Sequence, residues 1–136
     1  MPTAISKVLT VDDDPIFQEL IKAAFAQRGI GHVRQAADEG EAIAVLNSET
    51  DIDLIVSDLL MLETDGVGLM RHMKNTGCQT PLIVVSSALE PTVSAVGTLA
   101  AAYQLRFLGA LSKPLKFDQL ESALASAGLH IPGAAD

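Results

Sequence analysis

The chain of 136 residues carries 17 Asp and Glu against nine Lys and Arg, a formal net charge of −8. That length suits one domain with a full core, and the acidic balance argues against binding nucleic acid through a basic face. A mean hydropathy of +0.32 comes without an apolar run long enough to span a bilayer. Residues 1–6 lack a secretory signal pattern. The single cysteine, Cys78, excludes an internal disulfide and agrees with a cytoplasmic location.

In chain order, the apolar run at 7–11 predicts a first strand ending at Asp12-Asp13. A helix follows over 15–27: Asp14 can cap it, Pro15 suits its first position and Gly29 stops it. Its expected apolar positions are Ile16, Leu20, Ile21 and Ala24. A short second strand falls at 32–36 and a second helix at 39–47, with Ala42, Ile43 and Leu46 on one face. The third strand, 54–57, runs into Asp58 and a loop closing at Thr64-Asp65-Gly66. Helix three covers 67–74 and stops near Gly77, and Pro81 opens strand four, 82–85, which leads to Ser86. Helix four spans 91–103, with Gly97 weakening its middle. Strand five, 107–111, precedes Lys113-Pro114, and the last helix covers 118–127. Residues 1–128 form the expected domain, with 129–136 a C-terminal tail or the start of a linker. Five apolar strands alternating with five helices predict an α/β fold, a doubly wound parallel sheet with helices on both faces.

In such a sheet, ligands bind at the carboxyl ends of the strands, and Asp12, Asp13, Asp58, Ser86 and Lys113 all fall there. Adjacent carboxylates at a buried rim repel. A hard cation such as Mg²⁺ relieves this, taking oxygen ligands and keeping several waters. A carboxylate beside such a cation can attack a phosphoryl group, and the Lys113 ammonium can pair with phosphoryl oxygens. Ser86 or Ser87 can donate a hydroxyl, and a cis bond to Pro114 would turn the lysine into the crevice. A plainer reading has residues 12–14 only capping the first helix, with Lys113 and Ser86 as solvated turn residues. Asp58, at the end of a second strand, favours the site.

Taken in order, four segments resemble the receiver (CheY-like) domain of two-component response regulators, over about residues 5–127. They are Val8-Leu9-Thr10-Val11-Asp12-Asp13-Asp14-Pro15, Asp58-Leu59-Leu60-Met61 with Asp65-Gly66, the strand at 81–86, and Lys113-Pro114. The resemblance implies a flavodoxin-like (βα)5 fold with Asp58 as phosphoacceptor. It implies Mg²⁺ bound by Asp13, Asp58 and the Leu60 backbone carbonyl, with Asp12 acting through water. Ser86 would be the switch hydroxyl and Lys113 the phosphoryl-pairing lysine. The donor would be a histidine kinase or phosphotransfer protein, and the chemistry would stop at self-phosphorylation and self-dephosphorylation. Residues 86–91 and 105–115 are more narrowly similar to receivers fused to EAL-type cyclic-di-GMP phosphodiesterases, so such an effector, fused or separate, is the implied output.

Three positions depart from the family pattern. Leu62 stands where a proline is usual, and Leu60 is apolar where many relatives are polar. Ala110, three residues before Lys113, replaces an aromatic, which leaves Phe107 and Tyr103 as candidates for its part in the switch. Leu99, Ala102, Tyr103 and Arg106 are candidates for an interface, including a homodimer through helix four and strand five, with core packing as the simpler account. Two other functions compete. A phosphotransferase of the haloacid-dehalogenase type would use Asp12 and Asp14, but it leaves Asp58 without a task. A phosphorylation-independent interaction module rests on Ala110 alone. His32, His72 and His130 are too scattered to form a metal site.

Overall fold

All five strands of the main sheet run parallel, in the order β3-β2-β4-β5-β6. The computed structural model describes residues 3–58, 67–86, 92–113 and 115–133. The expectations for Leu60, Leu62, Ser87 and Pro114 lie outside the described residues. The elements are β1 (Thr3–Ala4), β2 (Lys7–Val11), α1 (Pro15–Gln27), β3 (His32–Ala36), α2 (Glu39–Ser48), β4 (Leu54–Asp58), α3 (Val67–Thr76), β5 (Leu82–Ser86), α4 (Thr92–Ala102), β6 (Phe107–Ser112), α5 (Phe117–Ala125) and β7 (Leu129–His130). The chain winds outward from β2 to β3, then returns to the other side of β2 with β4. Strand order therefore reverses between β2 and β4, and a crevice opens beyond their carboxyl ends.

Alternate residues of the central strands feed two separate cores, as the pleat requires. Leu9, Ile55, Leu82 and Val84 face α2, α3 and α4, joined by Ala42, Val45, Leu69, Met73 and Ala100. Val8, Leu54, Val56, Ile83 and Val85 face α1 and α5, joined by Ile21, Phe25, Leu120 and Leu124. Burial on both faces explains why these strands are continuous apolar runs. The Phe25 ring meets Phe117 edge-on at 5.1 Å; truncating such a ring to Ala costs about 3–5 kcal/mol.

Local signals set the helix ends. The Asp14 carboxylate accepts from the Ile16 N–H at 2.9 Å, with Pro15 beginning α1. At α2, Asp38 accepts from the Glu41 N–H while the Glu41 carboxylate reaches back to the Ala37 N–H, a reciprocal cap. The α1 stripe is a correction to the sequence expectation. The helix buries Gln18, Ile21 and Phe25, whereas Ile16 is 71% and Leu20 66% exposed. In α2, Val45 joins Ala42 in full burial, and Ile43 and Leu46 pack only partly.

Two further features went beyond expectation. β5 and β6 slip register, Leu82 facing Phe107 but Ile83 facing Gly109, so Leu108 is an extra residue. Gly109 has φ +141°, backbone that disfavours a side chain. The bulge swaps faces: Phe107 and Ala110 pack towards α4, Leu108 and Leu111 towards α1 and α5. The expected tail from residue 129 is also corrected at its start. Leu129–His130 pairs in parallel with Thr3–Ala4, Leu129 and Ile131 are buried, and the Gly133 N–H donates to the Arg28 carbonyl at 2.7 Å. Among the described residues, no helix is long and apolar enough to cross a membrane.

Candidate functional site

The site is assembled where β2, β4, β5 and β6 end. Asp12 directly follows β2, and its N–H donates to the Ala36 carbonyl at the end of β3. It is 2% exposed, and its Oδ1 accepts from the Asp14 N–H at 2.8 Å. Asp58 is the last residue of β4 and is also buried. Asp13, half-buried, completes a cluster in which the three carboxylates each offer an oxygen within 4.8 Å of the others. Ser86, the buried end of β5, accepts the Lys113 N–H on its carbonyl at 3.1 Å. That bond sets the backbone of Lys113 one residue past β6.

The Lys113 side chain reaches back over the acids. Its Nζ is 2.7 Å from Asp12 Oδ2 and 3.1 Å from Asp58 Oδ2. It also lies 4.4 Å from the centre of the Phe17 ring. Burial works against the charged ammonium, but the hydrogen bonds to Asp12 and Asp58 outweigh it, so the Lys113 pKa rises above its ordinary 10.5. Burial likewise lifts the Asp12 carboxyl above its ordinary value; Lys113 pulls it back only in part, and the nearby Asp58 charge adds to the rise. The acid cluster thus carries more negative charge than one lysine offsets.

That imbalance tests whether a cation fits. Asp12 Oδ2 is buried and, among the described residues, meets the Lys113 ammonium alone, at 2.7 Å. Hard oxygen donors from three carboxylates suit a divalent cation such as Mg²⁺. A cavity of about 250 Å³, lined in part by Asp12, Asp13, Gln18 and Glu41 but not by Asp58, leaves room beside the first two acids for the waters such an ion keeps. Asp14, by contrast, turns its carboxylate to the exposed start of α1. It is a cap, which removes the support for an Asp12/Asp14 phosphotransferase.

Two contributors were not foreseen from sequence. Gln18, buried on α1, donates from Nε2 to the carbonyls of Ala36 at 2.9 Å, Asp12 at 3.1 Å and Thr10 at 3.3 Å, and its Oε1 accepts from the Thr10 hydroxyl. It ties the ends of β2 and β3 to α1 and so fixes the backbone that carries Asp12. A polar residue inside an apolar helix stripe was the available signal. Phe17, the residue before it, covers Lys113 and had no signal beyond being apolar.

The family model for the response regulator receiver domain matches residues 8–125. The chain belongs to that family. Receiver domains are phosphoacceptor switches of phosphorelay signalling, and the (βα)5 expectation holds. Relatives agree: 119 residues are 31% identical to the cyclic di-GMP phosphodiesterase RocR of Pseudomonas aeruginosa, covering 86% of this chain and 30% of RocR. The receiver domain of the Francisella response regulator 1452 superposes with a TM-score of 0.71 at 30% identity, over 89% of this chain and 94% of that one. The chemotaxis protein CheY4 of Vibrio cholerae gives a TM-score of 0.74 at 23% identity, over 90% and 98% of the two chains, a likeness of fold. The receiver therefore spans about a third of the length of the curated relative it matches.

Proposed function

We propose that Asp58 is the phosphoacceptor of this receiver and that Asp12 and Asp13 hold Mg²⁺ beside it. The observation that carries the reading is the placement of Asp58: buried at the end of β4, inside the three-carboxylate cluster, with the Lys113 ammonium 3.1 Å from its Oδ2. When bound, Mg²⁺ would supply positive charge to the phosphoryl oxygens as they approach a negative pocket. A carboxylate oxygen of Asp58 then forms a new P–O bond. The bond from phosphorus to the donor breaks, and the donor group leaves with its electron pair. Lys113 moves from the carboxylate to a phosphoryl oxygen. Ser86 donates its hydroxyl to another, which draws the end of β5 inward.

The physiological donor in this reading is a histidine kinase or a phosphotransfer protein, in the cytoplasm. The readout surface is α4 with β6, where Ala110 stands in the place of the usual aromatic. Phe107 and Tyr103 pack partly buried against that core. Phe107 lies 4.0 Å from where a side chain on Gly97 would begin, and Lys74 sits 5.1 Å above the Tyr103 ring. These two rings take up the aromatic role. The likeness to RocR supports an EAL-type cyclic-di-GMP phosphodiesterase, fused or separate, as the effector, and the same face would serve a homodimer. With a net charge of −8, the domain itself does not contact nucleic acid.

The test is incubation with acetyl phosphate, with and without Mg²⁺, followed by intact mass measurement. One added phosphoryl group that requires Mg²⁺ and is absent from Asp58→Asn supports the reading. Labelling that persists in Asp58→Asn overturns it.

A further inference from the structure

We propose that Phe17 is a positioning residue of this site, its ring face holding the Lys113 ammonium over the carboxylates. The inference rests on the reading of Asp58 as phosphoacceptor. The Lys113 Nζ lies 4.4 Å from the Phe17 ring centre, inside the range where the negative face of an aromatic attracts a cation. The same ammonium is 2.7 Å from Asp12 Oδ2 and 3.1 Å from Asp58 Oδ2. It is therefore enclosed by two carboxylates and a ring, and its side chain is only 18% exposed. An ammonium is ordinarily a strongly hydrated point charge on a flexible stem, so this enclosure replaces water with fixed partners.

Sequence and fold deliver the ring to this place from two directions. Pro15 and the Asp14 cap fix where α1 starts, which puts Phe17 in the first turn, beside the acids. The ring packs against the core shared by α1 and α5, together with Leu111. On the other side, the bulge at Leu108 turns Leu111 towards α1 and α5, and Lys113, two residues on, follows to the same side. Without the extra residue, the lysine would emerge towards the opposite face.

The chemical consequence lies in how the lysine must move. To meet a phosphoryl oxygen, the ammonium leaves Asp58 Oδ2 for an atom farther out in the crevice. A ring face attracts the cation across a broad area without a directional bond to break, so Lys113 can shift while remaining held. An aliphatic side chain of similar bulk would fill the space but not hold the charge, and water would compete for the ammonium.

The experiment compares wild type with Phe17→Leu, Phe17→Met, Phe17→Tyr and Phe17→Trp. NMR reads the Lys113 ε-methylene protons, and mass spectrometry reads the rate of Asp58 labelling by acetyl phosphate with Mg²⁺. The wild-type ε-methylene should be shifted upfield by the ring current. Phe17→Leu and Phe17→Met should lose that shift and label about 3- to 10-fold more slowly, the size of a partly desolvated cation–π contact. Tyr and Trp should keep both properties, and Mg²⁺ affinity should stay within about twofold throughout, because the ring touches no carboxylate in this account. An ordinary ε-methylene shift in wild type overturns the proposal, whatever the variants do. So does wild-type labelling in Phe17→Leu, or equal impairment of the Leu and Tyr variants, which would mean that Phe17 only fills space. If wild type takes no label at all, the phosphoacceptor reading falls, and the role of Phe17 in that reaction falls with it.

Discussion

Lys113 stands closer to Asp12 than to Asp58, 2.7 Å against 3.1 Å, and the Asp12 side chain is the more buried of the two acids. The lysine thus neutralises the deepest acid of the cluster while remaining within reach of the carboxylate that would take the phosphoryl group. Even so, burial keeps the Asp12 pKa raised, so its charge costs the fold stability that a neutral side chain would not.

Because Lys113 keeps Asp58 as a partner at 3.1 Å, replacing Asp12 by Asn should stabilise the metal-free domain. Thermal unfolding in a chelator should show a midpoint a few degrees above wild type. In Mg²⁺ the order should reverse, because the variant loses one of three oxygen donors. A lower midpoint for Asp12→Asn in chelator would mean that the pairing with Lys113 outweighs the cost of burial.

Gln18→Leu removes the amide that joins three backbone carbonyls at the ends of β2 and β3. The Ala36 carbonyl keeps the Asp12 N–H as a donor, but the lost amide bonds in a buried setting cost about 1–3 kcal/mol. Urea unfolding should show a loss of that size. Mg²⁺ affinity, followed by calorimetry at a temperature where the variant is folded, should fall as well, since Asp12 loses its backbone brace. Unchanged affinity would confine Gln18 to stability.

Gly109→Ala puts a side chain on backbone at φ +141° and should destabilise by at least about 1 kcal/mol. If the bulge relaxes, Lys113 shifts with it, and Asp58 labelling should slow by more than the fraction unfolded accounts for. Chemical denaturation and labelling rates on the same sample separate the two effects.

At the opposite end of β2, Lys7 pairs with Glu49 and Asp51, while its carbonyl accepts from the Asp53 N–H. These contacts brace the strands whose far ends carry Asp12 and Asp58. The hydrogen bonds to Glu49 and then Asp51 raise the Lys7 pKa above 10.5. A raised cationic pKa contributes stability that is complete below the unfolded value and lost as pH climbs through the folded one. The difference in unfolding midpoint between wild type and Lys7→Met should hold steady at neutral pH and shrink above about pH 10.5. A difference that grows in alkali would contradict the pairing.

The strands and the acids were legible because they share one cause. A strand buried on both faces is a continuous apolar run, and the polar residues at or just past its end mark the rim where ligands bind. Asp12, Asp58, Ser86 and Lys113 all lie at such ends. The helices were legible in extent but not always in facing. α1 is apolar at 16, 17, 20, 21 and 23–26, more than one stripe, so spacing could not tell the buried Ile21 and Phe25 from the exposed Ile16 and Leu20. The β6 bulge had one signal, Gly109 inside an apolar run, but a glycine does not disclose a register. β7 is two residues long and is defined by its pairing with Thr3–Ala4, a contact across nearly the whole chain that no local pattern encodes.

The central claim is that Asp58 accepts the phosphoryl group. Borohydride converts an aspartyl phosphate to homoserine, and tandem mass spectrometry then reads its position in the chain. After treatment with acetyl phosphate and Mg²⁺, the account predicts homoserine at position 58 and at no other aspartate. Homoserine at position 12, or none at 58 while the phosphoryl mass is present, would contradict it.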